Sequence, residues 1–401
     1  MLKDHRLQNG LVIFRLIGFL EAAGWAGFSI YFPIYLESLG ISYFQIGIIA
    51  AAPTIIGMFA GVAWSSYSDY IGKRRPFMIQ SALSSSILIS LTTLLSSFEW
   101  FLALGILRGL LTPVLEGLTV ANLFELSDRK VMGRVFGSYA MWKSIGWAVS
   151  AIIAGTLSQL FGLRAALYLS SLMFFMITVA ALRVPEPTED SSPRISRAQI
   201  NFAPLRMALD TLCQREFARF LFASLPIYLS INAMAIFFPV YMKTAEAAPL
   251  LIGATFTVPA FFEVLVFLKI GRIADTVGGK RRLLVLSSSI YLLLFLIIGS
   301  ARNPLILFLA YSMLNPLAWP SLFTASSALI SKLLPAQRWA IGQTLYRIWS
   351  WSLSSVLGSL IGGWISEAIS MPSMFIIMSI LAAFSSALFT RIKETASNPL
   401  P

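Results

Sequence analysis

Long apolar stretches recur from one end of this chain to the other, with most of the charge confined to the short segments between them. They are continuous runs, without the short apolar-polar alternation of barrel strands. Many are long enough for a helix rising about 1.5 Å per residue to cross a hydrocarbon core of about 30 Å. The pattern predicts spanning helices over 11–36, 43–67, 77–96, 99–124, 138–160 and 165–183, then over 217–242, 249–271, 283–300, 304–331, 339–364 and 372–391. Between the two sets lies VPEPTEDSSPRISRAQINFAPLR, rich in Pro, Ser and charge, which reads as a linker. The expected organisation is a six-helix bundle over 1–183, a linker over 184–216 and a second six-helix bundle over 217–401. Within the linker, 204–216 fits a short amphipathic helix on the membrane surface as well as it fits a solvated coil.

The halves repeat each other. Phe32, Pro33, Tyr35, Gly47, Pro53, Asp69 and Gly72 return 206 positions later as Phe238, Pro239, Tyr241, Gly253, Pro259, Asp275 and Gly278. An even number of spans per half gives the halves the same orientation, as in parallel repeats related by an axis along the membrane normal, with a cavity expected between them.

Composition strengthens this picture. The chain is 57% hydrophobic and 12% charged, with a mean hydropathy of +0.78, which calls for lipid as solvent. Its net charge of +12 would suit nucleic acid, but the placement of that charge argues against such a partner. With a cytoplasmic amino terminus, 22 of the 30 Lys and Arg fall on cytoplasmic segments and only Arg164, Lys243 and Arg302 on outer loops. This positive-inside pattern predicts both termini in the cytoplasm of a cell that holds the chain in its plasma membrane, with anionic lipid contact as a side effect. The first span is too long for a signal-peptide core and reads as a retained helix. The single cysteine, Cys213, precludes an intramolecular disulfide, and the single histidine, His5, leaves no His or Cys cluster for a metal or haem, so no cofactor is expected.

Between spans 2 and 3, Asp69, Gly72 and the basic run Lys73, Arg74, Arg75 match Asp275, Gly278 and Lys280, Arg281, Arg282 between spans 8 and 9. Both segments resemble the signature loop of the major facilitator superfamily. The second copy keeps the leading glycine as Gly271, while the first has Ser65 there and Tyr70 where a basic residue is usual. The resemblance implies the major facilitator fold, an all-α membrane protein of twelve transmembrane helices in two pseudo-symmetric six-helix bundles. It implies a cytoplasmic gate in which Asp69 faces the start of span 11 and Asp275 the start of span 5, with Glu125 or Asp128 as partners for Arg74. An aspartate at a helix end and a nearby arginine cluster suit such a reversible contact; the alternative is a pair of topology anchors with turn glycines. The segment from Tyr31 to Phe77, Glu263 with its neighbours, and Gly342 to Tyr346 with Gly358 to Gly363 look most like the branch of phenylpropionate, nucleoside and sugar permeases.

Charges inside the spans need partners or water, since an ionised group at mid-bilayer costs about 2.5–3.5 kcal/mol on insertion scales. The acids are Glu21, Glu116 and Glu263, and the cations Arg15, Arg108, Lys143 and Arg347. Spans 1, 4, 7 and 10 line the cavity in the superfamily this chain resembles. Depth along each span then predicts the pairs Glu21–Arg108, Arg15–Glu116 and Glu263–Arg347, with Lys143 and Arg347 at near-equivalent places in the halves. A carboxylate that gains and loses a cationic partner is a proton switch; static pairing that fixes helix register is the competing reading. Asn232 in span 7 and Asn315-Pro316 in span 10 bring amides to the cavity, with Pro316 expected to break its helix. Trp25, Trp142, Trp319, Tyr346 and Trp349 are candidates to stack on a sugar or aromatic ring, though most such side chains simply pack.

Antiporters of the superfamily carry a glycine-rich stretch with a Gly-Pro pair in span 5; here Gly137 and Gly146 fit its opening, but Ser150-Ala151 stand in place of Gly-Pro. The expectation is a monomeric secondary transporter for a small organic solute by proton-coupled symport, with proton-driven efflux of drugs or metabolites as the alternative. An enzyme would need a catalytic constellation at an interface, and a receptor has no use for duplicated gating loops.

Overall fold

A computed structural model describes residues 2–125, 132–185, 203–274, 276 and 278–392, and among these the regular structure is entirely helical. The helices are α1 (Leu2–Ser38), α2 (Tyr43–Ile71), α3 (Arg75–Thr92), α4 (Phe98–Leu111), α5 (Leu115–Glu125), α6 (Met132–Phe161), α7 (Leu163–Ala181) and α8 (Ala203–Leu212). They continue as α9 (Arg215–Thr244), α10 (Pro249–Ala274), α11 (Gly279–Ser300), α12 (Pro304–Leu333), α13 (Trp339–Arg347), a π-helical stretch over Ile348–Leu353, α14 (Ser354–Ala368) and α15 (Met371–Phe389). Ten segments of the described residues are long and apolar enough to cross a membrane. The other two of the twelve spans are α3, whose buried positions include Ser81, Ser85 and Ser86, and α13 to α14, interrupted by the π-helical stretch. Of the two readings that fit 204–216 equally, a helix and a coil, the structure has the helix, as α8.

Helix limits follow local chemistry. The Asn303 side chain accepts from the Leu305 amide at 2.8 Å and Pro304 follows it, an N-cap and first-turn proline that start α12. Ser370 caps α15 in the same way, accepting from the Ser373 amide at 3.2 Å. Gly72 and Gly278, the repeat-related glycines of the loops, hold φ of 70° and 69°, a left-handed turn that a side chain resists.

Two sequence expectations are corrected here. Span 4 is not one helix: it breaks at Thr112–Val114, around Pro113, and resumes as α5. The freed carbonyls find side-chain donors, with Trp64 Nε1 on Leu110 at 2.7 Å, Gln80 Nε2 on Leu111 at 3.1 Å and Ser81 Oγ on Thr112 at 2.9 Å. Conversely, Pro316 does not break its helix, and α12 runs through both Pro316 and Pro320.

The chain divides into two compact units. Unit 1 comprises Met1–Ile41, Ala52–Gln199 and Ala248–Thr257; unit 2 comprises Ser42–Ala51, Ile200–Ala247 and Val258–Pro401. In unit 1, α1 packs along α6 and α7, and α7 along α3. In unit 2, α9 packs along α14 and α15, and α15 along α11. These are the same partners under the repeat. The first turns of α2 fall in unit 2 because a Cβ on Gly47 would meet the Ser359 carbonyl, and because the Tyr43 amide donates to Glu367 at 2.8 Å. The start of α10 falls in unit 1 for the matching reason. Gly253, the repeat partner of Gly47, lies against the Ala151 carbonyl, and Thr257 Oγ1 donates to the Ala148 carbonyl at 2.7 Å.

Serines tie the helices within each unit, as small polar residues do where lipid offers no competing donor. Ser171 of α7 meets Ser86 at 3.1 Å and Ser90 at 2.7 Å on α3. In unit 2, Ser385 enters the α9 ladder beside Pro226: its hydroxyl accepts from the Ile227 amide at 3.0 Å and donates to the Ala223 carbonyl at 2.8 Å. Ser385→Ala is therefore expected to cost about 0.5–1.5 kcal/mol, by removing the hydroxyl that links α15 to the α9 ladder, which can then close between the Ile227 amide and the Ala223 carbonyl. Thermal unfolding of the purified protein in detergent measures this, and a wild-type transition would contradict it.

Candidate functional site

In unit 1, α1, α5 and α6 bring two acids, a lysine and a tyrosine together. Glu21 is 2% exposed at mid-α1. Tyr139 and Lys143 stand one turn apart on α6: the tyrosine hydroxyl donates to Glu21 Oε2 at 3.2 Å, and Lys143 Nζ lies 3.5 Å from the same oxygen. The ammonium also donates to Glu116 Oε1 at 2.6 Å. Side-chain exposure rises along this row, 3% for Glu21, 25% for Lys143 and 51% for Glu116, so the lysine bridges a buried acid and an open one.

Local sequence explains the geometry. A Cβ on Gly146 would strike the Phe19 carbonyl, and one on Gly18 would strike the Tyr139 ring at 2.6 Å. The two glycines therefore let α1 and α6 approach until the lysine reaches across. The break at Pro113 restarts the helix just before Glu116, which occupies the first turn of α5, where the helix dipole favours a carboxylate.

The expected ion pairs are thus redrawn. Glu21 takes Lys143 in place of Arg108, and Glu116 also takes Lys143 in place of Arg15. The Nε of Arg15 is buried without a hydrogen-bond partner. Arg108 lies over aromatic rings, with its Cζ 4.7 Å from the Phe28 centroid and 5.4 Å from that of Trp25. Depth counting along straight helices missed this because it carries no rotational phase, and because the break in span 4 shifts Glu116 relative to Arg108. Tyr139 was not singled out by the sequence; its spacing from Lys143 beside Gly18 is the signal that would have found it.

In unit 2, Glu263 of α10 accepts from Asn315 Nδ2 at 3.2 Å, and Asn315 Oδ1 accepts from the Tyr291 hydroxyl at 3.2 Å. The expected Glu263–Arg347 pair is not formed among the described residues, and Arg347 is exposed at the end of α13. The face of α12 that carries Asn315 continues one and two turns on as Trp319 and Phe323. Trp319 meets Trp351 of the π-helical stretch edge-on at 5.4 Å, and Phe323 meets Phe267 of α10 at 6.4 Å. Asn232 donates to its own helix at Tyr228 O, 2.8 Å away, and to the Ser350 carbonyl at 3.1 Å inside the π-helical stretch. Tyr228 and Tyr346 share a short hydroxyl contact nearby.

In the loop after α2, Arg74 pairs with Asp69 at 3.5 Å and also with Glu125, one of its two expected partners. Asp128 and Asp275 lie outside the described residues. Lys73 is exposed, as is Arg281. Lys280 is buried and donates to the Ala274 carbonyl at 2.7 Å, capping the end of α10.

A family model described as MFS_1 like family matches residues 12–377. The multi-drug resistance efflux pump PmrA of Streptococcus pneumoniae serotype 4 is 23% identical over 367 residues, covering 88% of each chain. The multidrug resistance protein MdtG of a Rahnella strain is 21% identical over 384 residues, covering 92% of this chain and 89% of its own. The crystal structure of the nucleoside transporter NupG superposes with a TM-score of 0.81 at 13% identity, covering 96% of this chain and 99% of its own.

The bridging lysine makes a measurable prediction. Lys143→Met takes the counter-charge from the buried Glu21 carboxylate and is expected to destabilise unit 1 by about 3 kcal/mol or more. Glu21→Gln in the same chain recovers part of that loss. A double-mutant cycle by thermal unfolding checks this, and additive effects would show that Glu21 and Lys143 do not interact.

Proposed function

The chain belongs to the MFS_1-like family and so to the membrane transporters of the major facilitator superfamily, and on that premise we propose that it carries a small organic solute across the plasma membrane by alternating access, driven by protons. The observation that carries this reading is the sharing of Lys143 between Glu21 and Glu116. With all three ionised, the cluster holds one net negative charge, and a single proton neutralises it. Protonation of either acid releases the lysine to the other, so occupancy by a proton and the position of the cation are linked. Glu116 is open enough to exchange protons while Glu21 is sealed, which orders the two acids along a path.

In this reading the two six-helix domains, 1–183 and 217–401 joined by 184–216, rock about a central site in a monomer with cytoplasmic termini, an orientation supported by the Lys and Arg distribution. Glu263, with Asn315, and Asn232 supply polar contacts to solute, and Arg15, Arg108 and Arg347 supply charge. The loops carrying Asp69, Gly72, Lys73 and Arg74 and Asp275, Gly278, Lys280 and Arg281 serve as the cytoplasmic gate, a role that the Arg74 pairs with Asp69 and Glu125 support.

Symport is favoured by Ser150-Ala151 standing where antiporters carry Gly-Pro. The second reading, proton-driven export, draws its support from the multi-drug resistance efflux pump PmrA, which aligns over 88% of this chain.

Reconstituted vesicles with an imposed pH gradient test both. A panel of sugars, nucleosides and aromatic acids is expected to include a solute that accumulates on the alkaline side if the protein is a symporter, and on the acidic side if it is an antiporter. Glu21→Gln should abolish gradient-driven accumulation while solute exchange persists. Unchanged accumulation in that variant would remove Glu21 from coupling.

A further inference from the structure

We infer that the transported solute carries an organic oxyanion, a carboxylate or phosphate ester, and that Arg108 is its docking point; this rests on the transporter reading above. The argument starts from a permanent charge. A guanidinium stays protonated in proteins and projects five N–H donors in its plane, while its faces accept aromatic rings. The Arg108 guanidinium carbon lies over the rings of Trp25 and Phe28. Its terminal nitrogen NH1 is buried and has no hydrogen-bond partner.

Among the described residues of unit 1, no acceptor lies within hydrogen-bond distance of it. Glu21 shares one face of α1 with Trp25 and Phe28, at the i, i+4, i+7 spacing, but it is held by Lys143 and Tyr139. Glu116 is also held by Lys143. The carbonyls at the end of α4 are engaged as well, Arg108 O by Thr112, Leu110 O by Trp64 and Leu111 O by Gln80. The helix end contributes a favourable dipole to the cation but no acceptor for that nitrogen.

What remains is a planar cation beside two rings, with Arg108 and Trp25 both only partly covered. A carboxylate or phosphate presents paired oxygens that match the guanidinium fork, and an attached flat apolar body would lie along Trp25. The proton-accepting cluster begins one helical turn away at Glu21. A carboxylate and one proton then cross together without net charge, and a phosphate monoester would need two protons, which links this site to the symport reading.

The test uses the full-length protein in detergent, with benzoate, phenyl phosphate, benzyl alcohol, benzylamine and inorganic phosphate as probes, read by thermal shift and by tryptophan fluorescence. Benzoate or phenyl phosphate is expected to bind about tenfold or more tightly than benzyl alcohol, with benzylamine weaker still. Comparing the two oxyanions identifies the preferred headgroup. Arg108→Gln should erase the preference for oxyanion over alcohol, and Arg108→Lys should weaken it without erasing it.

Equal binding of amine and acid overturns the inference, as does an oxyanion preference that survives Arg108→Gln, or failure of both organic oxyanions to bind. Inorganic phosphate binding as tightly as phenyl phosphate would make Arg108 an inorganic-anion site and overturn it too. Because the wild-type discrimination needs no variant, misfolding of Arg108→Gln leaves the test intact. Proton-driven flux of an uncharged solute that is indifferent to Arg108→Gln would retain the transporter and remove the anion. Oxyanion binding without driven flux of any solute would do the reverse.

Discussion

An ionised carboxylate at the depth of Glu21 cannot stay in hydrocarbon without a counter-charge, and much of unit 1 is arranged around supplying one. Gly18 and Gly146 bring α1 and α6 close enough for the Lys143 side chain to reach Glu21. Tyr139, one turn earlier on α6, fills a second acceptor site on the same carboxylate. The break at Pro113 begins a new helix at the position where Glu116 can share the ammonium. Remove the need to neutralise Glu21, and the glycine contacts, the broken span and the tyrosine lose their common explanation.

The halves have diverged around this constraint while keeping their packing. α1 against α6 and α7 is matched by α9 against α14 and α15. Lys143 and Arg347 fall at near-equivalent places in the repeat, yet among the described residues only Lys143 meets acids. In unit 2 the corresponding chemistry is an amide and a phenol on Glu263, beside a row of aromatic rings from Phe267 to Trp351. The duplicated loops diverge likewise. The first holds an ion-pair network on Arg74, and in the second Lys280 caps its own helix. A duplicated scaffold thus leaves one unit specialised for charge and the other for polar and aromatic surface.

Broken and irregular backbone marks both units. In α4 to α5 the break leaves carbonyls that Trp64, Gln80 and Ser81 satisfy from neighbouring helices. In the eleventh span the π-helical stretch gives Asn232 a carbonyl to hold. Such irregularity survives inside a membrane only where protein or water satisfies the backbone. Pro316 shows the converse, a proline that α12 absorbs without a break.

The helical spans, though not their exact ends or the break in span 4, the internal repeat and the two glycine turns were legible in the sequence. They depend on local composition: an apolar run of sufficient length must cross the membrane as a helix, and a left-handed turn asks for glycine. The charges within the spans were legible too, and so Glu21, Glu116, Glu263, Lys143 and Arg108 stood out as candidates. Their partners did not. Pairing depends on which way each helix is turned and how closely two helices approach, and a single glycine or a one-turn break changes both. Tertiary packing alone decided that Lys143 serves two acids, that Glu263 rests on an amide, and that Arg108 faces rings with a donor left over, because those outcomes are set by contacts between segments far apart in the chain.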